Sequence, residues 1–164
     1  MKLWVIRHAK SSWAEPQQRD FERPLNPRGK RDGPRMAAWL AEQAEPAQWI
    51  WSSDAARASA TAQFVATGFA SAAPEIVTDH RLYHSSVVEV CAVLRETPSD
   101  VSSAAVVAHN PTLTQLVNHL AGDWVLDNLP TFGVALFTLS GSWLDLSPAH
   151  AKLELTMTPK QLPP

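Results

Sequence analysis

A chain of 164 residues fits one domain and is long enough to bury a core without disulfide or metal staples. Its 45% apolar and 18% charged residues argue against intrinsic disorder, and a formal net charge of −2 excludes a global basic field that would recruit nucleic acid or an anionic membrane. The one cysteine, Cys91, lies among Val88, Val90, Ala92, Val93 and Leu94 and reads as a small buried hydrophobe rather than a catalytic thiol.

The first predicted element is a strand, Leu3 to Ile6, dense in β-branched and aromatic side chains and ending abruptly at Arg7-His8. Its apolar run is too short for a signal peptide, and no stretch approaches the roughly eighteen residues of a membrane span, so a cytoplasmic location is expected. Pro16, Pro24 and Pro27 then deny a continuous helix to SSWAEPQQRDFERPLNPRGK, which predicts a long loop. Loops of this length in compact domains cover or build sites; whether residues 9–30 act as a lid stays open. Met36, Ala37, Trp39 and Leu40 predict a helix from Pro34 that ends before Pro46.

QWIWSS, residues 48–53, predicts a second strand, feeding a helix that Ser53 or Asp54 caps and that runs to Gly68. A third strand is predicted at Glu75 to Thr78, a helix at 86–96, and a fourth strand, AAVVA at 104–108, apolar enough to be buried on both faces. Asn110-Pro111 is a preferred cap followed by a preferred first helical residue, and so predicts the start of a helix carrying Leu113, Leu116, Val117 and Leu120 to a stop at Gly122. VALFTL (134–139), SWLDL (142–146) and KLELTM (152–157) leave no room for helices and predict antiparallel strands. The domain is expected over residues 1–158, with 159–164 as a C-terminal tail. The fold class expected is α/β, a three-layer α/β/α sandwich with a mostly parallel central sheet and C-terminal antiparallel strands.

In such sheets ligands sit beyond the carboxyl ends of the strands, where Arg7, His8, Arg57 and His109 emerge. Each alone has a dull explanation as a solvated strand end or a capped turn. Together they put two Arg and two His beside two helix N-termini that favour anions. Arg57 is the most informative, because a cation in the first turn of a helix opposes the macrodipole and calls for compensation, which a bound phosphate supplies. The set reads as a phosphate cradle with an internal nucleophile, and no ligand cluster with metal spacing accompanies it, so no metal or other cofactor is expected.

RHAKSSW, RPLNPRG, SSDAARASATA, VVAHNPTL and NLPTFG, in that order, resemble the histidine phosphatase superfamily, in its phosphoglycerate mutase-like fold and its small phosphohistidine phosphatase (SixA-like) branch. The resemblance implies a metal-free phosphatase in which His8 is transiently phosphorylated while Arg7, Arg57 and His109 hold the phosphoryl oxygens and Asn110 adds to substrate binding. The partners implied are a phosphate anion carried by a protein histidine or by a small phosphorylated substrate, with neither nucleic acid nor membrane involved. Larger relatives carry Arg-His-Gly and a carboxylic acid that protonates an alcohol leaving group. This chain has Arg-His-Ala, and DHRLYHSS offers Tyr83 and His84 where that acid would be sought. If an acid operates, Asp20 or Glu22 is the candidate.

Two rivals stand beside this reading: a phosphatase or mutase acting on small phosphomonoesters at the same site, and a phosphate-binding module without turnover. Binding alone does not call for a nucleophile, so two His and two Arg together favour an enzyme. His80, His84, His119 and His150 read as surface or satisfied core residues. Trp4, Trp39, Trp49 and Trp51 read as core, and Trp13 as a wall of the substrate entrance.

Overall fold

A computed structural model describes residues 1–164. Six strands form one sheet: β1 (Lys2–Arg7), β2 (Trp49–Ser52), β3 (Glu75–Thr78), β4 (Ser103–Ala108), β5 (Val134–Leu139) and β6 (Ala151–Met157). Their spatial order is β3-β2-β4-β1-β5-β6. The first four are parallel, and β5 and β6 extend the sheet antiparallel from β1. Four helices cover the two faces: α1 (Pro27–Ala41), α2 (Ala56–Gly68), α3 (Val87–Arg95) and α4 (Thr112–Ala121).

Strand alternation divides the core in two. Leu3 and Val5 of β1 pack with Val90, Leu94, Leu113 and Leu116 under α3 and α4. Trp4 and Ile6 point to the opposite face, among Met36 and Leu40 of α1 and Ala58, Ala62 and Val65 of α2. Covered on both sides, β4 is buried at every position. The result is the α/β/α sandwich that the element pattern predicts.

Four local expectations are corrected. Helix α1 starts at Pro27 rather than Pro34: the Asn26 side chain accepts from the Gly29 N–H, Pro27 follows as first residue, and Pro34 lies inside the helix. Residues 142–146 form no strand, because Ser142 and Asp145 cap each other and close a 3₁₀ turn over Trp143–Asp145. Helix α2 has Ala55 as its cap position, without a side-chain cap, so neither Ser53 nor Asp54 fills that role. Helix α4 begins at Thr112, with Pro111 at the cap after a cis Asn110–Pro111 bond, although Asn110 Oδ1 still accepts from the Thr114 N–H.

The terminal segment expected to trail away is packed. Pro159 is buried, Pro159–Gln161 forms a 3₁₀ turn, and Arg35 of α1 donates to the carbonyls of Pro159 at 3.4 Å and Pro163 at 3.0 Å. No helix is long and apolar enough to cross a membrane.

Candidate active site

Residue 8 follows β1 directly, and its backbone is held from two sides. His8 N–H donates to the Ala108 carbonyl at 3.1 Å, and its carbonyl accepts from the Phe132 N–H at 3.0 Å. Thr61 of α2 accepts from the Ala9 N–H at 2.9 Å. Phe132 adopts a left-handed conformation, φ 49°, with its ring fully buried, so the segment facing His8 is fixed by packing.

The imidazole of His8 is oriented by its own chain. Nδ1 lies 2.7 Å from the Ala9 carbonyl oxygen. A carbonyl only accepts, so the hydrogen-bond network assigns the proton to Nδ1 and leaves the lone pair on Nε2. Nε2 faces Arg57, whose Nε–H donates to it at 3.4 Å. Burial is the main reason why the ring's pKa falls to about 3, and the positive charges of Arg57, Arg7 and Arg23 add to it against the pull of the Ala9 carbonyl. His8 is therefore neutral, with an available lone pair, throughout the physiological range.

His109 follows β4, the strand that pairs with β1, and the two rings lie 5.1 Å apart between centroids. Its Nε2 is 2.8 Å from Ser53 Oγ, which also accepts from the Ala55 N–H. Nε2 is the acceptor available to the Ser53 hydroxyl proton, so the network assigns that proton to the Ser53–His109 contact and the His109 proton to Nδ1. That Nδ1 is buried without a partner, as is Nε of Arg7. Buried donors are almost always paired, so two unpaired ones in one cluster mark a place built for an acceptor. Burial, then His8 and Arg57, depress His109 to about pH 3 as well.

Arg7 donates from Nη1 to the Leu129 carbonyl at 3.0 Å, and burial followed by the charge of Arg57 lowers its pKa. Arg57 is itself buried and is clasped by the loop after β1: Nη1 donates to the Asp20 carbonyl at 2.7 Å and Nη2 to Asp20 Oδ2 at 3.0 Å. Asp20 thus supplies the negative charge that the macrodipole argument assigned to phosphate. Its carboxylate also accepts from Tyr83 Oη and Arg23 Nη1, both at 2.7 Å. Burial pushes the carboxyl pKa up, but these three donors outweigh it and hold the group well below the usual carboxylate range. Asp20 is an ionised clamp, a poor proton donor at neutral pH. Glu22 is exposed and pairs with Arg19 at 3.2 Å.

The loop is therefore a built excursion. Ser11 and Leu25 bridge antiparallel, the buried Arg23 binds Ser11 and the Ser12 carbonyl, and its guanidinium lies 3.3 Å from the Trp13 ring centroid. Trp13 stacks on that arginine. Asn110 is a second departure: its amide nitrogen donates to Asn128 and Leu129, and its oxygen accepts from Thr114. With every polar atom so engaged, Asn110 ties residues 128–129 to α4 and anchors the carbonyl that holds Arg7.

Of the sequence candidates, Arg7, His8, Arg57 and His109 converge. Ser53 and Arg23 belong to the same neighbourhood and were not expected there, whereas Tyr83 and His84 lie where the resemblance would seek a carboxylic acid. The Tyr83 ring packs 5.5 Å from His109 and 4.0 Å from His84. A signal for Ser53 existed, since it leaves β2 as His109 leaves the adjacent β4. No group of three His, Cys, Asp or Glu side chains is placed to hold a metal ion.

Comparison with known proteins places this geometry. Residues 3–87 match the family profile described as histidine phosphatase superfamily (branch 1). An uncharacterized protein of Mycobacterium tuberculosis H37Rv is 30% identical over 157 residues, covering 90% of this chain and 96% of that protein. A Nakamurella structure provisionally named phosphohistidine phosphatase SixA superposes with a TM-score of 0.84 at 27% identity, covering 96% of this chain and 95% of the other. Its provisionally named SixA counterpart from Agrobacterium tumefaciens gives 0.82 at 26%, over 96% and 97%.

Proposed function

The chain belongs to the histidine phosphatase superfamily, and from that premise we propose that it hydrolyses phosphohistidine through a covalent intermediate on His8. The observation that carries the mechanism is the wiring of His8: Nδ1–H held by its own backbone, and an unprotonated Nε2 that meets only a long, 3.4 Å contact from the Arg57 Nε–H. In the first step the Nε2 lone pair attacks phosphorus, and the P–N bond to the substrate imidazole breaks with its electron pair returning to that ring nitrogen, so that a ring protonated on its other nitrogen leaves neutral and no further proton is required. Arg7, Arg57 and the Nδ1–H of His109 stabilise charge on the phosphoryl oxygens during the transfer. Water then attacks phospho-His8, the bond to Nε2 breaks, and inorganic phosphate leaves with release of a proton.

Asp20 supports this reading over that of a small phosphomonoester. An alkoxide leaving group needs a proton donor, and the carboxyl best placed to give one is held ionised by Arg57, Arg23 and Tyr83. A protonated imidazole leaves as a neutral ring and has no such need. The names of the SixA-like structures support the same substrate class.

The test is a substrate panel in the presence of EDTA. Phosphohistidine peptides are expected to be turned over at least about 100-fold faster, in kcat/KM, than alkyl phosphomonoesters. Equal or better hydrolysis of the monoesters, or loss of activity in EDTA restored by a divalent ion, would overturn the reading.

A further inference from the structure

Beside the strand-end cluster runs a basic trough. A cleft of about 240 Å³ shares Arg7 with the cluster and is lined further by Lys10, Arg28 and Lys160, with no carboxylate among its residues. A second cleft, about 400 Å³, shares Arg28 and Lys160 with the first and adds Arg31 and Arg35. The shared residues make the two clefts one continuous surface. Arg28, Arg31 and Arg35 lie on one face of α1 at i, i+3 and i+7 and extend it by about 10 Å. A single carboxylate, the buried Asp32, opposes them, at 3.7 Å from Arg28 and 3.3 Å from Arg35. Its floor is fixed by the Pro159 turn and the two carbonyls that Arg35 binds.

Resting on the phosphohistidine reading, we propose that this trough docks an acidic segment of the protein that carries the phosphohistidine. Like charges that outnumber their counter-ions repel one another, and on a chain of net charge −2 a concentration of them beside a phosphoryl site acts as a local field for anionic partners. The length of the surface selects a macromolecule. A phosphorylated metabolite fills the first cleft at most, whereas Arg31 and Arg35 lie beyond it and contact only a ligand that continues along α1. A peptide presenting several Asp or Glu residues next to its phosphohistidine meets the whole strip, with the phosphoryl group at His8.

The experiment uses two phosphohistidine peptides of equal length, one flanked by Glu and Asp and the other by Gln and Asn. It also uses the unphosphorylated forms of both, labelled for fluorescence anisotropy. At low salt the acidic peptide is expected to show at least about a tenfold advantage in kcat/KM. That advantage is expected to disappear near 0.5 M NaCl and in Arg28→Gln/Arg31→Gln/Lys160→Gln, while turnover of phosphoramidate is unchanged by the substitutions. Arg31→Gln/Lys160→Gln, which leaves both Asp32 ion pairs intact, gives the same direction if the triple variant is unstable. Equal kcat/KM and equal binding for the two peptides would overturn the docking surface while leaving the phosphatase reading standing. Charge-dependent binding of the acidic peptide without turnover of either would do the reverse. Tighter binding of polyuridylate than of the acidic peptide would reassign the trough to nucleic acid and also overturn the proposal.

Discussion

The ends of β1 and β4 invite comparison because they are so nearly alike. Each is a buried parallel strand, the two pair in register up to Arg7 and Ala108, and each delivers a histidine whose basicity is depressed to about pH 3 mainly by burial. Their wiring is opposite. His8 gives its proton to the Ala9 carbonyl and keeps a lone pair on Nε2, whereas Ser53 occupies Nε2 of His109 and leaves an unpaired N–H on Nδ1. Two chemically identical side chains, with ring centroids 5.1 Å apart, are given opposite proton positions by a single neighbour each, which suits one to the proposed nucleophile and the other to a donor. The lesson is that hydrogen-bond partners, not pKa values, separate the two roles.

The sharpest way to break this comparison is to remove each ring in turn. His8→Ala is expected to cost about 10⁴-fold or more in kcat, as loss of a covalent nucleophile does. His109→Ala is expected to cost about 10²–10³-fold, the loss typical of one charge-stabilising donor. Rapid quench with labelled phosphohistidine peptide should trap an acid-labile, alkali-stable phosphoenzyme in wild type and in His109→Ala but none in His8→Ala. A phosphoenzyme in His8→Ala, or losses of equal size with none in either variant, would erase the distinction.

A smaller effect is expected from the clamp that aims Arg57 at the pair. Asp20→Asn keeps the shape but removes the negative charge, and the resulting freedom of Arg57 is expected to lower kcat/KM about 10- to 100-fold. Because Asp20 is already ionised, the variant should keep the same basic limb in its pH–rate profile. Disappearance of a basic limb that wild type shows would make Asp20 the proton donor after all. Tyr83→Phe, which removes one of the three donors to Asp20, belongs at the lower end of that range.

How far the sequence led is clearest from the same residues. Arg7, His8, Arg57 and His109 were legible because each terminates or follows an apolar run, and parallel sheets collect such positions at one edge. The partner of Arg57 was not: Asp20 is 37 residues away, in a stretch without periodicity, and only the closed loop brings it near. Helix α1 begins seven residues before Pro34, at Asn26-Pro27, a pair of the same kind as Asn110-Pro111, and packing of Met36, Ala37 and Leu40 carries the helix through Pro34. SWLDL reads as a strand only because the segment leaves no room for a helix, and the reciprocal cap between Ser142 and Asp145 makes it a 3₁₀ turn instead.

The smallest expected effect concerns stability, and it treats the two histidines as equals where catalysis does not. Both rings are held neutral in the fold down to about pH 3, whereas an unfolded histidine takes a proton near pH 6.5. Between those values the unfolded chain binds more protons than the folded one. Stability from this source is therefore complete above about pH 6.5 and is lost as pH falls toward 3, by up to about 1.4 kcal/mol per pH unit for each ring. Asp20 adds a loss of the same sign only at more acid pH, because its folded value is also depressed but from a lower starting point. Urea unfolding of wild type in phosphate-free buffer should show ΔG falling from pH 7 to 4.5, with a slope about halved in either His8→Ala or His109→Ala and nearly flat in the double variant. Both single variants should flatten the curve equally even though only one of them abolishes the phosphoenzyme. A wild-type ΔG that stays constant over this range would show that both rings take up protons in the fold as readily as in the unfolded chain, and would overturn the burial argument for their depressed basicity.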